Sequence, residues 1–325
     1  MTEQELFQLR RQKWRVNGQP VRTLEDARAF IESVGFCLMY PERPPVLVPT
    51  FLGAWAGNED QLPTWQHAFA DARRQPATEL MVRLLREKAA FEANLFRENV
   101  FLIAAGIFPY FYGLVGDRNP RQMPKAGVRS EYSPLACDML AVIREHGSIN
   151  KAKLRDALGQ ELSPQALDRA LGELWSRLRI TRVDYNPAGG AFWDTLYRWA
   201  PAAVREGIEV SVPEALSALI SRYLDCVIMA EQSEIVDLFA HFTARSKVNE
   251  AVNALLAARE LSFVPVGKSS KIQVTPLRTS ALPVSRSRGL SSVPRSPLPV
   301  SRGQRHSTEE RKNQNRETGN GKRGT

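Results

Sequence analysis

Apolar residues recur at three- and four-residue intervals along most of this chain, and the breaks in that rhythm divide it into helices and short ribbons. Residues 133–201 show the division most fully. Apolar positions from Leu135 to Ile143 predict a helix stopped at Gly147-Ser148. Leu154 and Leu158 mark one face of a second helix, from Asn150 to Leu158, which Gly159 ends. Ser163-Pro164 supplies a cap followed by proline in the first turn, where the missing N–H does no harm. Leu167, Ala170, Leu171, Leu174 and Leu178 then keep one buried stripe. Beyond them the period drops to two. Ile180 to Tyr185 alternates, Phe192 to Tyr197 is aromatic-rich, and Asn186-Pro187-Ala188-Gly189-Gly190 suits a wide hairpin loop between them. Three helices followed by a ribbon make a winged helix.

The flanking thirds follow a similar order. Met1 to Val16 predicts a helix with Leu6, Leu9 and Lys13 on one side, and Thr23 caps a second, Leu24 to Val34, stopped by Gly35. Prolines 41, 44, 45 and 49 keep the next stretch extended; Leu80 to Ala90 reads as helix and Phe91 to Ile103 as a ribbon. Downstream, Pro213 to Val227 is helical, Ser233 and Thr243 are candidate caps for two more helices, and Leu261 to Val274 closes as a ribbon around Gly267. The expected fold is mainly α with small β-hairpins, in three tandem winged-helix units at residues 1–130, 131–205 and 206–275. Residues 276–325 are Ser-, Pro- and Arg-rich and repeat Leu-Pro-Val-Ser-Arg, so they are expected to be disordered.

Charge changes this picture less than the total suggests. The net charge is +9, yet residues 276–325 hold 11 Lys/Arg against 3 Asp/Glu, which leaves 33 against 32 for residues 1–275. A DNA-binding face on the body must therefore come from arrangement and not bulk charge. The longest apolar run, Val100 to Val115, contains Pro109 and two glycines and is too short for a comfortable bilayer span. With a polar first segment as well, a cytoplasmic protein without membrane partners is expected. Cys37, Cys137 and Cys226 are isolated from one another and from the histidines, so no metal, cofactor or disulfide is expected.

The three-unit order, with Arg222-Tyr223-Leu224 in the last unit and Phe91 to Ile103 in the first, resembles the AlkZ-like tandem winged-helix family over nearly all of Met1 to Thr275. The resemblance implies duplex DNA as partner and hydrolysis of the N-glycosidic bond of an alkylated or crosslinked base. Active members carry a Gln-x-Gln signature after a helix-ending glycine, which places the attacking water. Here Gly35 is followed by Leu38 and Tyr40 at those places, while Arg97 matches a basic residue of the family and Phe101 stands where it often has histidine.

The candidate residues follow from these readings. Phe36 to Tyr40 is either a lesion pocket, with Tyr40 stacking on an extruded base, or a buried turn that fills core. Tyr40 and Glu98 are the candidate catalytic groups, a tyrosine to hold water and a carboxylate to activate it. Glu92, Asn94, Arg97 and Glu98 lie near the ribbon turn; Asn94 and Arg97 are candidate DNA contacts, and the two glutamates, Glu92 and Glu98, read also as a solvated hairpin tip. Third helices of winged helices enter the major groove by their first turns. That selects Gln165 and Arg169, beside the carboxylates of Asp168 and Glu173, and Arg245, Lys247 and Asn249 with Glu250 nearby. The aromatic cluster around Pro109 reads as packing between domains. Three fused units imply a monomer. A DNA-binding regulator without enzymatic activity and a protein-interaction scaffold stay open beside the glycosylase-related reading.

Overall fold

The computed structural model describes residues 1–276 apart from Arg97, Glu98, Val128, Arg129 and Pro187 and the side chain of Phe69. The expectations for Arg97, Glu98 and the tail from 277 onward fall outside the described residues. The described residues belong to one compact unit.

The chain opens with α1 (Glu3–Lys13), followed by α2 (Leu24–Val34), β1 (Phe36–Leu38), α3 (Phe51–Ala56), α4 (Arg74–Arg86), β2 (Ala90–Phe96), β3 (Asn99–Ala104) and α5 (Phe108–Val115). Next come α6 (Pro134–His146), β4 (Ile149–Asn150), α7 (Lys151–Leu158), α8 (Pro164–Ser176), β5 (Ile180–Asn186) and β6 (Gly190–Thr195). The last part is α9 (Leu196–Trp199), α10 (Pro201–Glu209), α11 (Val212–Val227), α12 (Gln232–Phe239), α13 (Arg245–Ala257), β7 (Leu261–Val266) and β8 (Ser269–Val274).

Three small antiparallel sheets accompany the helices. Their strand orders are β1-β3-β2, β4-β6-β5 and β7-β8, and Ala230 bridges Ile272 at the edge of the third. β1, ahead of α3, pairs with β3, and β4, ahead of α7, pairs with β6; ahead of α12 the isolated bridge from Ala230 to Ile272 of β8 takes that place.

Local chemistry explains most boundaries. Thr23 and Asp26 form a capping box on α2, and Gly35, at φ 80°, ends it. Ser133 and Ser163 cap α6 and α8 ahead of prolines, and Asn150 caps α7. Several expectations need correction. The helix expected over Leu80 to Ala90 is α4, Arg74–Arg86, and Ala90 already belongs to β2. Leu178 is buried but lies beyond the end of α8, at φ 53°. Leu196 and Tyr197 belong to α9 and not to the second strand of the ribbon. Glu231, paired reciprocally with Glu234, caps α12 in place of Ser233. Helix α13 starts at Arg245 from Ala244, with no side-chain cap from Thr243. In α1 only Leu6 is buried, and Leu9 is exposed.

The main core runs from the first section into the last. Phe36 on β1 stacks on Tyr223 of α11 at 6.3 Å, and the Arg222 guanidinium donates to the Glu32 carbonyl at the end of α2. Phe108, Phe111 and Tyr112 of α5 are fully buried and join both sections to α10. There α5 and α10 approach through glycine: a Cβ on Gly207 would lie 2.7 Å from Tyr112 Cβ, and one on Gly113 2.9 Å from Val210 Cβ. The central section has its own core around Met139, Leu140, Ile143, Leu171 and Trp193.

Candidate functional site

A cleft of about 880 Å³ opens where the first and central sections meet. Alternation along β2 sets one wall. Phe91 and Ala93 turn into the core, so Glu92 and Asn94 face the other way, into the cleft. Helix α4 adds Arg74 and Thr78, α8 adds Asp168, Arg169 and Trp175, and β5 adds Arg182, Asp184 and Tyr185. A register shift between Arg182 and Asp184 marks a bulge, which re-aims the strand so that Asp184 and Tyr185 both line the cleft.

At its centre Glu92, 1% exposed, is ion-paired with Arg182. The Glu92 carbonyl accepts from Trp175 Nε1 at 3.1 Å and Thr181 Oγ1 at 3.0 Å. The Arg182 guanidinium lies 4.6 Å from the Trp175 ring centroid and 5.7 Å from that of Trp193. Burial pulls the Arg182 guanidinium down to about 10, so it remains a cation at neutral pH. Among the described residues, Arg182 Nε and Thr78 Oγ1 are buried in this wall without a hydrogen-bond partner. Both can donate to a guest.

The cleft gathers three of the residues selected from sequence: Tyr40, Asn94 and Arg169. Tyr40 is 3% exposed, with its ring 5.9 Å from that of Trp65, and its carbonyl accepts from the Asn99 amide at 2.9 Å. Phe36 to Met39 are buried too, so this stretch fills core while its end reaches the cleft. Arg169 is exposed at the rim, near an ion pair between Lys151 and Asp168. Phe101 is core, packed on Phe36 and Phe111.

The remaining described candidates lie elsewhere. Gln165 is exposed at the start of α8 and is not part of the cleft wall. On α13, Arg245 pairs with Asp237 at 2.7 Å, Asn249 accepts from Gln232 Nε2 at 3.1 Å, and Lys247 is exposed. Glu250 is therefore not the sole carboxylate at that helix start. Glu92 needs the larger correction. It is no solvated tip residue, because Arg182 meets it from the neighbouring ribbon. Reading by spacing also missed Arg182, Thr78 and Trp175. The available signal was a charge inside each apolar alternation, Glu92 between Phe91 and Ala93 and Arg182 between Thr181 and Val183.

Among the described residues, no helix is long and apolar enough to cross a membrane, and no group of three or more His, Cys, Asp or Glu could hold a metal ion.

The comparisons with known proteins agree with this architecture. A family model described as DNA glycosylase AlkZ-like matches residues 52–288. Among solved structures, the chain is similar to the Streptomyces sahachiroi DNA glycosylase AlkZ, with a TM-score of 0.54 and 14% identity over 85% of this chain and 70% of that one. No curated protein matches.

Proposed function

This chain belongs to the AlkZ-like DNA glycosylase family, and from that premise we propose that it binds duplex DNA and holds an extruded base in the cleft beside Tyr40, Glu92 and Asn94. The cleft carries this reading. A protein that acts on a base must take it out of the stack, hold it between flat or apolar walls and hydrogen-bond its edge. Tyr40, Trp65 and Trp175 supply the walls, and Asn94, Thr78 and Arg182 supply polar atoms for the edge.

Two repeats of helix, strand, helix, helix and ribbon, and a third with an isolated bridge at Ala230 in place of the strand, support three winged helices, at residues 1–130, 131–205 and 206–275. In this reading the first turns of α8, with Gln165 and Arg169, and α13, with Arg245, Lys247 and Asn249, meet phosphates or base edges. Asn94 and Arg97 complete the set of proposed contacts. One chain suffices, so the protein acts as a monomer, and a sizing measurement separates it from a dimeric regulator.

The reaction of this reading is hydrolysis of the N-glycosidic bond: a water oxygen bonds to the sugar carbon as the bond to the base breaks. No metal or organic cofactor enters it. Glu92 is held by Arg182, which leaves Glu98 and Tyr40 to place and activate the water. Leu38, apolar and buried on β1, favours a second reading, capture of a damaged base without hydrolysis. Incubating the full chain with a duplex carrying an alkylated purine or an interstrand crosslink decides between them. Abasic sites support excision. Release unaffected by Tyr40→Phe with Glu98→Gln would remove those two residues from the chemistry. Tight binding without release supports capture. Absence of salt-sensitive DNA binding overturns both readings and leaves a protein scaffold.

A further inference from the structure

A second groove, of about 540 Å³, runs beside the cleft, with Arg74, Gln75, Arg83 and Arg86 of α4 facing Tyr185 and Asn186 of the central ribbon. Arg74 and Tyr185 line both depressions, so the groove continues into the cleft. Glu79 is the acidic residue in its wall. Arg83 and Arg86, one helical turn apart, share a face of α4. We infer that this groove is the track of the DNA strand whose base enters the cleft, with Arg83 and Arg86 on its phosphates. The inference rests on the DNA reading above and adds a surface that spacing did not select.

Three observations carry it. Arginine's planar fork matches a phosphate bidentately. Arg74 and Arg86 stand at the ends of α4, about 18 Å apart at 1.5 Å per residue. That length spans about five phosphates at 3.4 Å per nucleotide. Arg86 is held by Asp184 at 2.7 Å, but the two side chains are 52% and 40% exposed. An exposed pair of this kind contributes little and gives way to a phosphate at small cost.

The test titrates a fluorescent duplex, with and without one alkylated purine, with the full chain at about 50 to 200 mM salt. Each lost phosphate contact lowers the slope of log K against log salt by about 0.9. Arg83→Gln with Arg86→Gln is expected to flatten the slope by about 2 on both duplexes. Arg83→Lys with Arg86→Lys is expected to keep it. Asp184→Asn, which frees Arg86, is expected to bind more tightly. An unchanged slope in the Gln variant, with the parent chain binding DNA normally, overturns the track and leaves the DNA reading standing. Absence of salt-sensitive binding by the parent overturns both. If the Gln variant lacks a thermal transition, Asp184→Asn decides: tighter binding supports the track and unchanged affinity overturns it.

Discussion

Glu92 on the first ribbon and Arg182 on the central one are ion-paired across 90 positions of sequence in the wall of the cleft. The pair adds to other contacts between the two sections, among them Trp175 and Thr181 donating to the Glu92 carbonyl and Arg86 paired with Asp184. A buried charge that loses its partner costs about 3–5 kcal/mol, and the 21% exposure of the Arg182 side chain reduces this. Glu92→Ala is therefore expected to destabilise the protein by about 2–4 kcal/mol in urea unfolding. Glu92→Ala with Arg182→Met should recover part of that loss. A change of the size of an exposed pair, under about 1 kcal/mol, would contradict the buried pairing.

The crossing of α5 and α10 depends on the absence of two β-carbons. Gly207→Ala would place its methyl 2.7 Å from Tyr112 Cβ and 2.9 Å from the Pro109 carbonyl oxygen. Neither backbone can yield without parting the helices. The expected loss is about 1–3 kcal/mol, read as a lowered midpoint of thermal unfolding. An unshifted midpoint would show that the crossing is loose.

Two buried thiols predict an alkaline limit to stability. Burial pushes Cys226 up to about 12 and raises Cys37 well above its ordinary range. Unfolded thiols release their protons from about pH 8.5, whereas the folded ones keep theirs. The thiol contribution is thus fully present below about pH 8.5 and falls as pH rises toward the folded values, by about 1.4 kcal/mol per pH unit for each thiol. Urea unfolding at pH 8, 9 and 10 should show this decline, with a shallower one in Cys226→Ala. A flat profile in the parent chain would rule it out.

Asn94 tests the cleft as a base site. Its amide shares the cleft face of β2 with Glu92. Asn94→Ala is expected to cost about 1 kcal/mol, roughly five- to tenfold, in affinity for duplex with an extruded base. Affinity for undamaged duplex should stay the same. Equal losses on both duplexes would place Asn94 outside the base site.

The helices and ribbons were largely legible in the chain because their signals are local. Ala27, Phe30, Ile31 and Val34 mark the buried face of α2, and all are buried as their spacing requires. Serine before proline marks the starts of α6 and α8. The short helices α3, α5, α9 and α10 were missed. In α3 Gly53, Ala54 and Ala56 dilute the stripe, and α9 follows its strand with no break between them. Of the site, Tyr40, Asn94 and Arg169 were found by type and position, but nothing in their spacing said that they share one cleft.

Local pattern in the chain set the longer helices and the ribbons, and where most of these stop. Periods of 3.6 and 2, caps and glycines act through neighbours within one turn or one hairpin. Tertiary structure alone decided that the first and last sections share a core and that Glu92 meets Arg182. It also decided that α4 and the central ribbon enclose a basic groove. Each of these depends on how rigid sections dock, and contacts between residues nearly a hundred positions apart leave no period in the chain.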